Sequence, residues 1–287
     1  MMNTLANAQR PARMTYEQSV QPTGPGRYRL LDVDFNPYER TLWARIAPDG
    51  PTFVSGELLQ ELWDVSAQIR AGDFGRVKFK VLSSRLPQIF SLGGDLELFL
   101  RLINERDRVG LFRYAQAAID AVWTNVTGCG VPDLTSVAVV NGEAQGGGFE
   151  AALSCHQIVA ETGTRFGFPE SLFGLFPGMG AFALLAARTD ASVAARLIGS
   201  ASRYSAEFLY EIGVIDYLIP RGTSEAFIAK LSERLEPSRI AQRKCALDTV
   251  RYDALLSSID LWVEKALGLG DKHKRCMTYL LNAQRQL

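Results

Sequence analysis

Val137-Ala-Val-Val-Asn-Gly-Glu-Ala-Gln-Gly-Gly-Gly-Phe-Glu150 carries a strand, a turn and a helix start within fourteen residues. Val137 to Val140 is a short β-branched run of the kind that forms a buried strand. Asn141-Gly142 turns the chain, and Gly146-Gly147-Gly148 leads into Phe149-Glu150-Ala151-Ala152-Leu153, a helix start. Glycines let backbone approach a ligand closely and leave amide protons unmasked. The first amides of a helix have no internal partner and sit at the positive end of its dipole, so an oxygen gaining negative charge is stabilised there. Glu150 follows at once, and Glu170 lies in Phe166-Gly-Phe-Pro-Glu170. Anion-stabilising amides beside two carboxylates suit acid–base chemistry on an activated carbonyl. A glycine-rich turn also serves plain packing, and a first-turn Glu is favoured by the dipole alone. It could also cradle a phosphate, but no G-x-G-x-x-G or G-x-x-x-x-G-K pattern occurs.

The whole chain narrows the choice. Its 287 residues can bury a sizeable core, and 47% hydrophobic content is ordinary for a soluble globular protein. Thirty-one basic and thirty-one acidic residues cancel, which leaves no global field for nucleic acid or an anionic membrane. No apolar run approaches the roughly 18–20 residues of a membrane span, and the N-terminus lacks a signal-peptide core; a cytoplasmic location is expected. The four cysteines (Cys129, Cys155, Cys245, Cys276) show no C-x-x-C pair, so reduced thiols and no metal site are expected. With two histidines and no G-x-S-x-G elbow, carboxylates are the expected proton carriers.

Outward from the opening stretch, the pattern alternates strand and helix and indicates an α/β chain. Residues 1–26 read as a flexible, polar arm closed by Gln21-Pro-Thr-Gly-Pro-Gly26. Strands are expected at 28–34, 40–46, 77–82, 135–140 and 157–160, with helices capped by Ser55 and over 96–103 and 107–126. Phe90-Ser-Leu-Gly-Gly-Asp-Leu96 is a second glycine turn entering a helix. Beyond 200 the chain reads as helical: 205–212, 224–235, a break at Pro237 with Ser238 as cap, then two longer helices to about 282 interrupted near Gly268. The expected organisation is a core over 27–200 and a helical C-terminal region over 201–287.

Three stretches resemble the crotonase (enoyl-CoA hydratase/isomerase) superfamily. Phe90-Ser-Leu-Gly-Gly-Asp-Leu96 is similar to F-x-x-G-x-D-[LI], Val140 to Glu150 to V-N-G-x-A-x-G-G-G-x-E, and Phe166 to Gly178 to F-x-x-P-E-x-x-x-G-x-x-P-G. The resemblance implies a crotonase fold: stacked β-β-α turns with C-terminal helices, assembled as a homo-oligomer of three or six chains. It implies that the amides of Gly94 and Gly147 form an oxyanion hole for a thioester carbonyl. It also implies that Glu150 and Glu170 are the two acid–base carboxylates, with no cofactor. Keeping both glutamates favours adding or removing water over isomerisation.

The chain departs from the β-oxidation pattern. Tyr38-Glu-Arg-Thr-Leu-Trp-Ala-Arg-Ile46 stands where CoA-using hydratases carry N-R-P-x-x-x-N-A-L; Glu143 adds a carboxylate to the glycine turn; Cys155-His156 replaces C-D. With the long arm, these features look most like the diffusible signal factor synthases. That resemblance implies a dehydratase and thioesterase that releases a cis-2-unsaturated fatty acid from a 3-hydroxyacyl chain on acyl carrier protein. It further implies restraint by a cognate signal-sensor protein. Glu170 would take the C2 proton while Glu150 protonates the departing hydroxyl, and Met179 and Trp262 would line the acyl pocket. The alternatives are a β-oxidation enoyl-CoA hydratase and a non-catalytic crotonase-fold binding module.

Overall fold

The computed structural model describes residues 28–285; the expected arm at 1–26 lies outside them. Six strands form the larger sheet in the order β1 (Leu31–Asn36), β2 (Thr41–Ile46), β3 (Phe79–Ser84), β5 (Thr135–Val140), β7 (Gln157–Glu161) and β10 (Tyr217–Ile219). β1 joins β2 as an antiparallel hairpin, and every other pair is parallel. Central strands of a parallel sheet are covered on both faces and so become continuous apolar runs. Val137 to Val140, fully buried, illustrate this.

A second, smaller sheet has four three-residue strands in the order β4 (Ile89–Ser91), β6 (Glu143–Gln145), β8 (Arg165–Gly167) and β9 (Arg203–Ser205). The first three run parallel, and β9 returns antiparallel. Each passage of the chain gives one strand to each sheet: β3 then β4, β5 then β6, β7 then β8. The result is a stack of like turns, the α/β crotonase architecture. None of the small strands was expected, because three residues are too few to establish a period of two.

Helix α1 (Gly56–Ala71) begins where Ser55 Oγ accepts from Leu58 N at 3.1 Å. After it come α2 (Leu96–Asn104) and α3 (Arg108–Val126), capped by Asp95 and Asp107. Helix α4 (Gly147–Leu153) follows β6; α5 (Ala181–Arg188) and α6 (Ala191–Gly199) follow β8, and α7 (Ala206–Glu211) follows β9. The region beyond 200 is not purely helical, since it supplies β9 and β10. The helix expected over 224–235 is two pieces, α8 (Ser224–Ile228) and α9 (Leu231–Arg234). Pro237 is the first residue of α10 (Pro237–Leu247), with Glu236, not Ser238, at the cap position. Proline's fixed φ suits a first turn, where its missing N–H costs nothing. The two expected terminal helices are three: α10, α11 (Tyr252–Leu267) and α12 (Asp271–Arg285), with an extra break at the extended Arg251.

A buried charge cluster ties this region to the large sheet. Asp216 accepts from Arg188 Nη1 at 3.1 Å, Arg243 Nε at 2.6 Å and Ile158 N at 2.8 Å. Arg188 also donates to the carbonyls of Leu153 and Val214. Removing one partner strands a charge away from water. Asp216→Ala should therefore cost about 3–5 kcal/mol of unfolding free energy, read by urea denaturation.

Candidate active site

Every residue that carries the candidate chemistry lies just past a strand of the small sheet. Gly94 follows β4, Gly147 and Glu150 follow β6, and Glu170 follows β8. Because these strands run parallel (Ile89 beside Glu143, Ala144 beside Phe166, Gln145 beside Gly167), their C-terminal ends share one edge. Phe149 locks the second turn onto the third, stacking on Phe168 at 4.8 Å and packing on Phe166 at 5.0 Å.

Gly147 is the first residue of α4, and Gly146 before it has φ +49°, a conformation that suits glycine. A methyl group on Gly147 would stand 3.8 Å from Gly94 N, so the two amides are neighbours. Neither amide has an acceptor among the described residues. The Gly94 loop is held from outside. Val54 N donates to Gly93 O at 2.7 Å, and Tyr114 Oη donates to Val54 O at 2.6 Å while accepting from Asp95 N at 3.4 Å. Two adjacent unpaired amides form a site for an oxyanion.

The two carboxylates are built differently. Glu150 is 1% exposed, and its Oε1 accepts from Met179 N at 2.7 Å and Ala181 N at 3.0 Å, at the entry to α5. Burial pushes its pKa up to about 7, while the two backbone donors hold it down. Glu170 packs on Gly146; the residue is partly exposed, but its Oε2 is shielded and has no partner among the described residues. Burial, then the charge of Glu150, pushes its pKa up to about 8. Two backbone donors on Glu150 and none on the shielded Oε2 of Glu170 favour the charge on Glu150 and the proton on Glu170.

Acid–base work needs one carboxyl protonated and the other ionised, so turnover should peak between about pH 7 and 8 and fall on both sides. Stability moves the other way from the usual carboxylate. Both pKa values are raised above the ordinary 4.5, so the folded state holds protons that the unfolded chain releases. That contribution is whole below about pH 4.5 and is lost as pH rises through about 7 and 8. Denaturation across this window should show a shallower loss for Glu170→Gln than for the natural sequence.

These groups open into a cavity of about 210 Å³. Met179 and Trp262 both line it: Met179 from the loop before α5, its side chain over Gly147, and Trp262 from α11, edge-on to Phe99 at 5.2 Å. Phe99, Tyr114 and, from α12, Leu280 and Gln284 also line it, none with a local sequence signal. Glu143 pairs with Arg203 at 3.1 Å on the rim and accepts from Gln145 Nε2 at 3.1 Å. Arg203 is the single cationic residue of the lining among the described residues.

Cys155 and His156 lie elsewhere. Ser136 N donates to His156 Nδ1 at 3.0 Å, which leaves Nε2 to donate to Val126 O at 3.0 Å. Burial lowers the His156 pKa to about 4 and raises that of Cys155 to about 12, so both are neutral structural groups. Among the described residues no three His, Cys, Asp or Glu side chains gather to hold a metal, and no helix is long and apolar enough to cross a membrane.

The profile of the enoyl-CoA hydratase/isomerase family matches residues 52–261. Among curated proteins, the chain is similar to the alpha subunit of the fatty acid oxidation complex of Pseudomonas syringae. The two are 30% identical over 177 residues, 58% of this chain and 23% of that one. The curated relatives are matched over 15% to 39% of their own length. Human mitochondrial delta3-delta2-enoyl-CoA isomerase shares the fold with a TM-score of 0.74, at 15% identity over 90% of this chain and 99% of that one. Pseudomonas aeruginosa DspI shares it with a TM-score of 0.63, at 21% identity over 94% and 96%.

Proposed function

Because the chain belongs to the enoyl-CoA hydratase/isomerase family, we propose that it removes water from a 3-hydroxyacyl thioester on acyl carrier protein and then hydrolyses the thioester. The product is a free cis-2-unsaturated fatty acid that serves as a cell–cell signal. This reading is supported above all by the meeting of Glu150 and Glu170 in one apolar cavity with the unpaired amides of Gly94 and Gly147.

The thioester oxygen accepts from both amides, which acidifies the C2 protons. One glutamate takes a C2 proton, the C2–H electrons form the C2–C3 double bond, and the C3–O bond breaks as the other glutamate protonates the hydroxyl into water. In the second step water adds to the thioester carbon, the same amides hold the tetrahedral oxyanion, and the carrier thiol leaves with a proton. The division of labour implied by the resemblance, Glu170 as base and Glu150 as acid, needs the proton on Glu150. That arrangement is the less favoured one in the free protein, because Met179 N and Ala181 N donate to the Glu150 carboxylate. Among the described residues the cavity lining holds one cation, Arg203, itself paired to Glu143; the departure of Tyr38 to Ile46 from the CoA-using pattern is what favours a protein-borne substrate over free CoA.

A second reading is favoured by the resting proton. Hydration of a trans-2-enoyl thioester starts with Glu150 ionised to activate water and Glu170 protonated to deliver H⁺ to C2, the majority arrangement. Incubation with 3-hydroxyacyl carrier protein, followed by mass spectrometry, separates the two. Free cis-2-enoic acid supports the synthase; hydration of trans-2-enoyl-CoA with no free acid would replace it with the hydratase.

A further inference from the structure

The last helix, α12, forms one wall of the cavity. It is anchored by buried Met277 and Leu281, by Lys274 Nζ donating to Asn104 Oδ1 at 2.9 Å, and by the Arg285–Glu97 ion pair. On its inner side Gln284 Nε2 donates to Leu92 O at 2.8 Å. A carbonyl can only accept, so this bond fixes which end of the carboxamide is nitrogen. The other end, Oε1, is buried, belongs to a residue lining the cavity, and has no partner among the described residues. A buried acceptor left unmade carries a penalty, and native structures keep such a group where something else satisfies it.

We infer that Gln284 is a substrate-binding residue whose side-chain oxygen accepts a hydrogen bond from the first amide N–H of the carrier's pantetheine arm. The inference rests on the thioester reading above. Leu92 stands two residues before Gly94, so the bond to Leu92 O holds this acceptor beside the loop that would grip the thioester oxygen. A 3-hydroxyacyl thioester brings few donors to this place. Its hydroxyl is engaged by the glutamates, Glu170 packed on Gly146 and Glu150 held at the entry to α5. The next donor along the molecule is the amide N–H two methylenes beyond the sulfur. The acyl chain beyond C3 has none. Gln284 thereby supplies the acceptor that complements the donors at Gly94 and Gly147, and it selects for the arm rather than for the acyl chain.

The test is a cycle of two proteins and two unreactive ligands, with binding read by calorimetry so that the identity of the catalysed reaction does not matter. The ligands are thioether analogues of an acyl-pantetheine, one with the natural amide and one with an ester oxygen in place of its N–H. The natural protein should bind the amide roughly three- to tenfold more tightly, the worth of one neutral hydrogen bond. Gln284→Met should weaken amide binding by that same factor and leave ester binding unchanged. Equal weakening of both ligands, the mark of a merely structural role through Leu92, would overturn the inference, as would equal binding of both by the natural protein. If neither analogue binds the natural protein, the thioester reading itself fails and takes this inference with it.

Discussion

Replacing Glu150 or Glu170 with glutamine should lower kcat on a 3-hydroxyacyl thioester by about 10²–10⁴-fold, with the fold intact. The size follows from losing one of the two carboxyls that stand beside the unpaired amides; the remaining charged lining residues, Glu143 and Arg203, are paired with each other. The fold survives for a specific reason in each case. In Glu150→Gln a side-chain oxygen remains for Met179 N and Ala181 N, the two bonds that seat Glu150 at the entry to α5. In Glu170→Gln a neutral carboxamide replaces a carboxyl already pushed toward its neutral form by burial and by Glu150. Because both groups act in one elimination step, one as base and one as acid, the double variant should be little slower than the worse single one. Thermal melting beside steady-state rates checks both halves. A rate loss accompanied by unfolding, or a loss below about tenfold, would count against the acid–base assignment.

The second large effect belongs to Gly94. A methyl group there would stand 2.8 Å from Phe99 Cε2 and Cζ. Tyr114 packs edge-on on that ring at 4.9 Å and Trp262 at 5.2 Å, so displacing it disturbs both neighbours, and the turn is pressed to shift with its amide. Gly94→Ala should therefore cost about 10²–10³ in kcat, the usual effect of losing one oxyanion donor. Gly147→Ala is the informative contrast. Its methyl would meet Met179 Cε at 2.7 Å, the far end of a flexible side chain that can swing aside. Its rate should fall less than that of Gly94→Ala. Equal losses would mean that the two turns are not held as described.

How much of this was legible before folding depends on the distance over which each feature is made. The strand at 135–140 and the turn and helix after it are local, and β5 and α4 appear where the valines and glycines indicate. The glycine turns at Gly94 and Gly147 and both glutamates were readable as motifs, and the structure brings all four to one sheet edge. Met179, chosen because it follows the third motif, and Trp262, chosen for its place on a C-terminal helix, line the same cavity. The small sheet was not readable, because strands of three residues have no period and are defined by their neighbours. The outer support of the site was hidden for a different reason. Tyr114 reaches Val54 across 60 positions, and Gln284 reaches Leu92 across 192. No window of sequence contains either contact. Local propensity did mislead at Ser238: serine is a good cap, but Pro237 already fits the first turn, so the helix begins two residues earlier than a Ser238 cap would place it.

If the Glu150–Glu170 pair takes a proton from C2 of a thioester held by Gly94 and Gly147, isotope placed at C2 must be lost in a fixed amount. The substrate to use is a 3-hydroxyacyl carrier protein carrying two deuterons at C2, with the released acid weighed by mass spectrometry. The expected product is a free cis-2-enoic acid with one deuteron left, and Glu170→Gln should abolish it. A free 3-hydroxy acid retaining both deuterons would contradict the proposed chemistry, because thioester cleavage would then proceed without any reaction at C2.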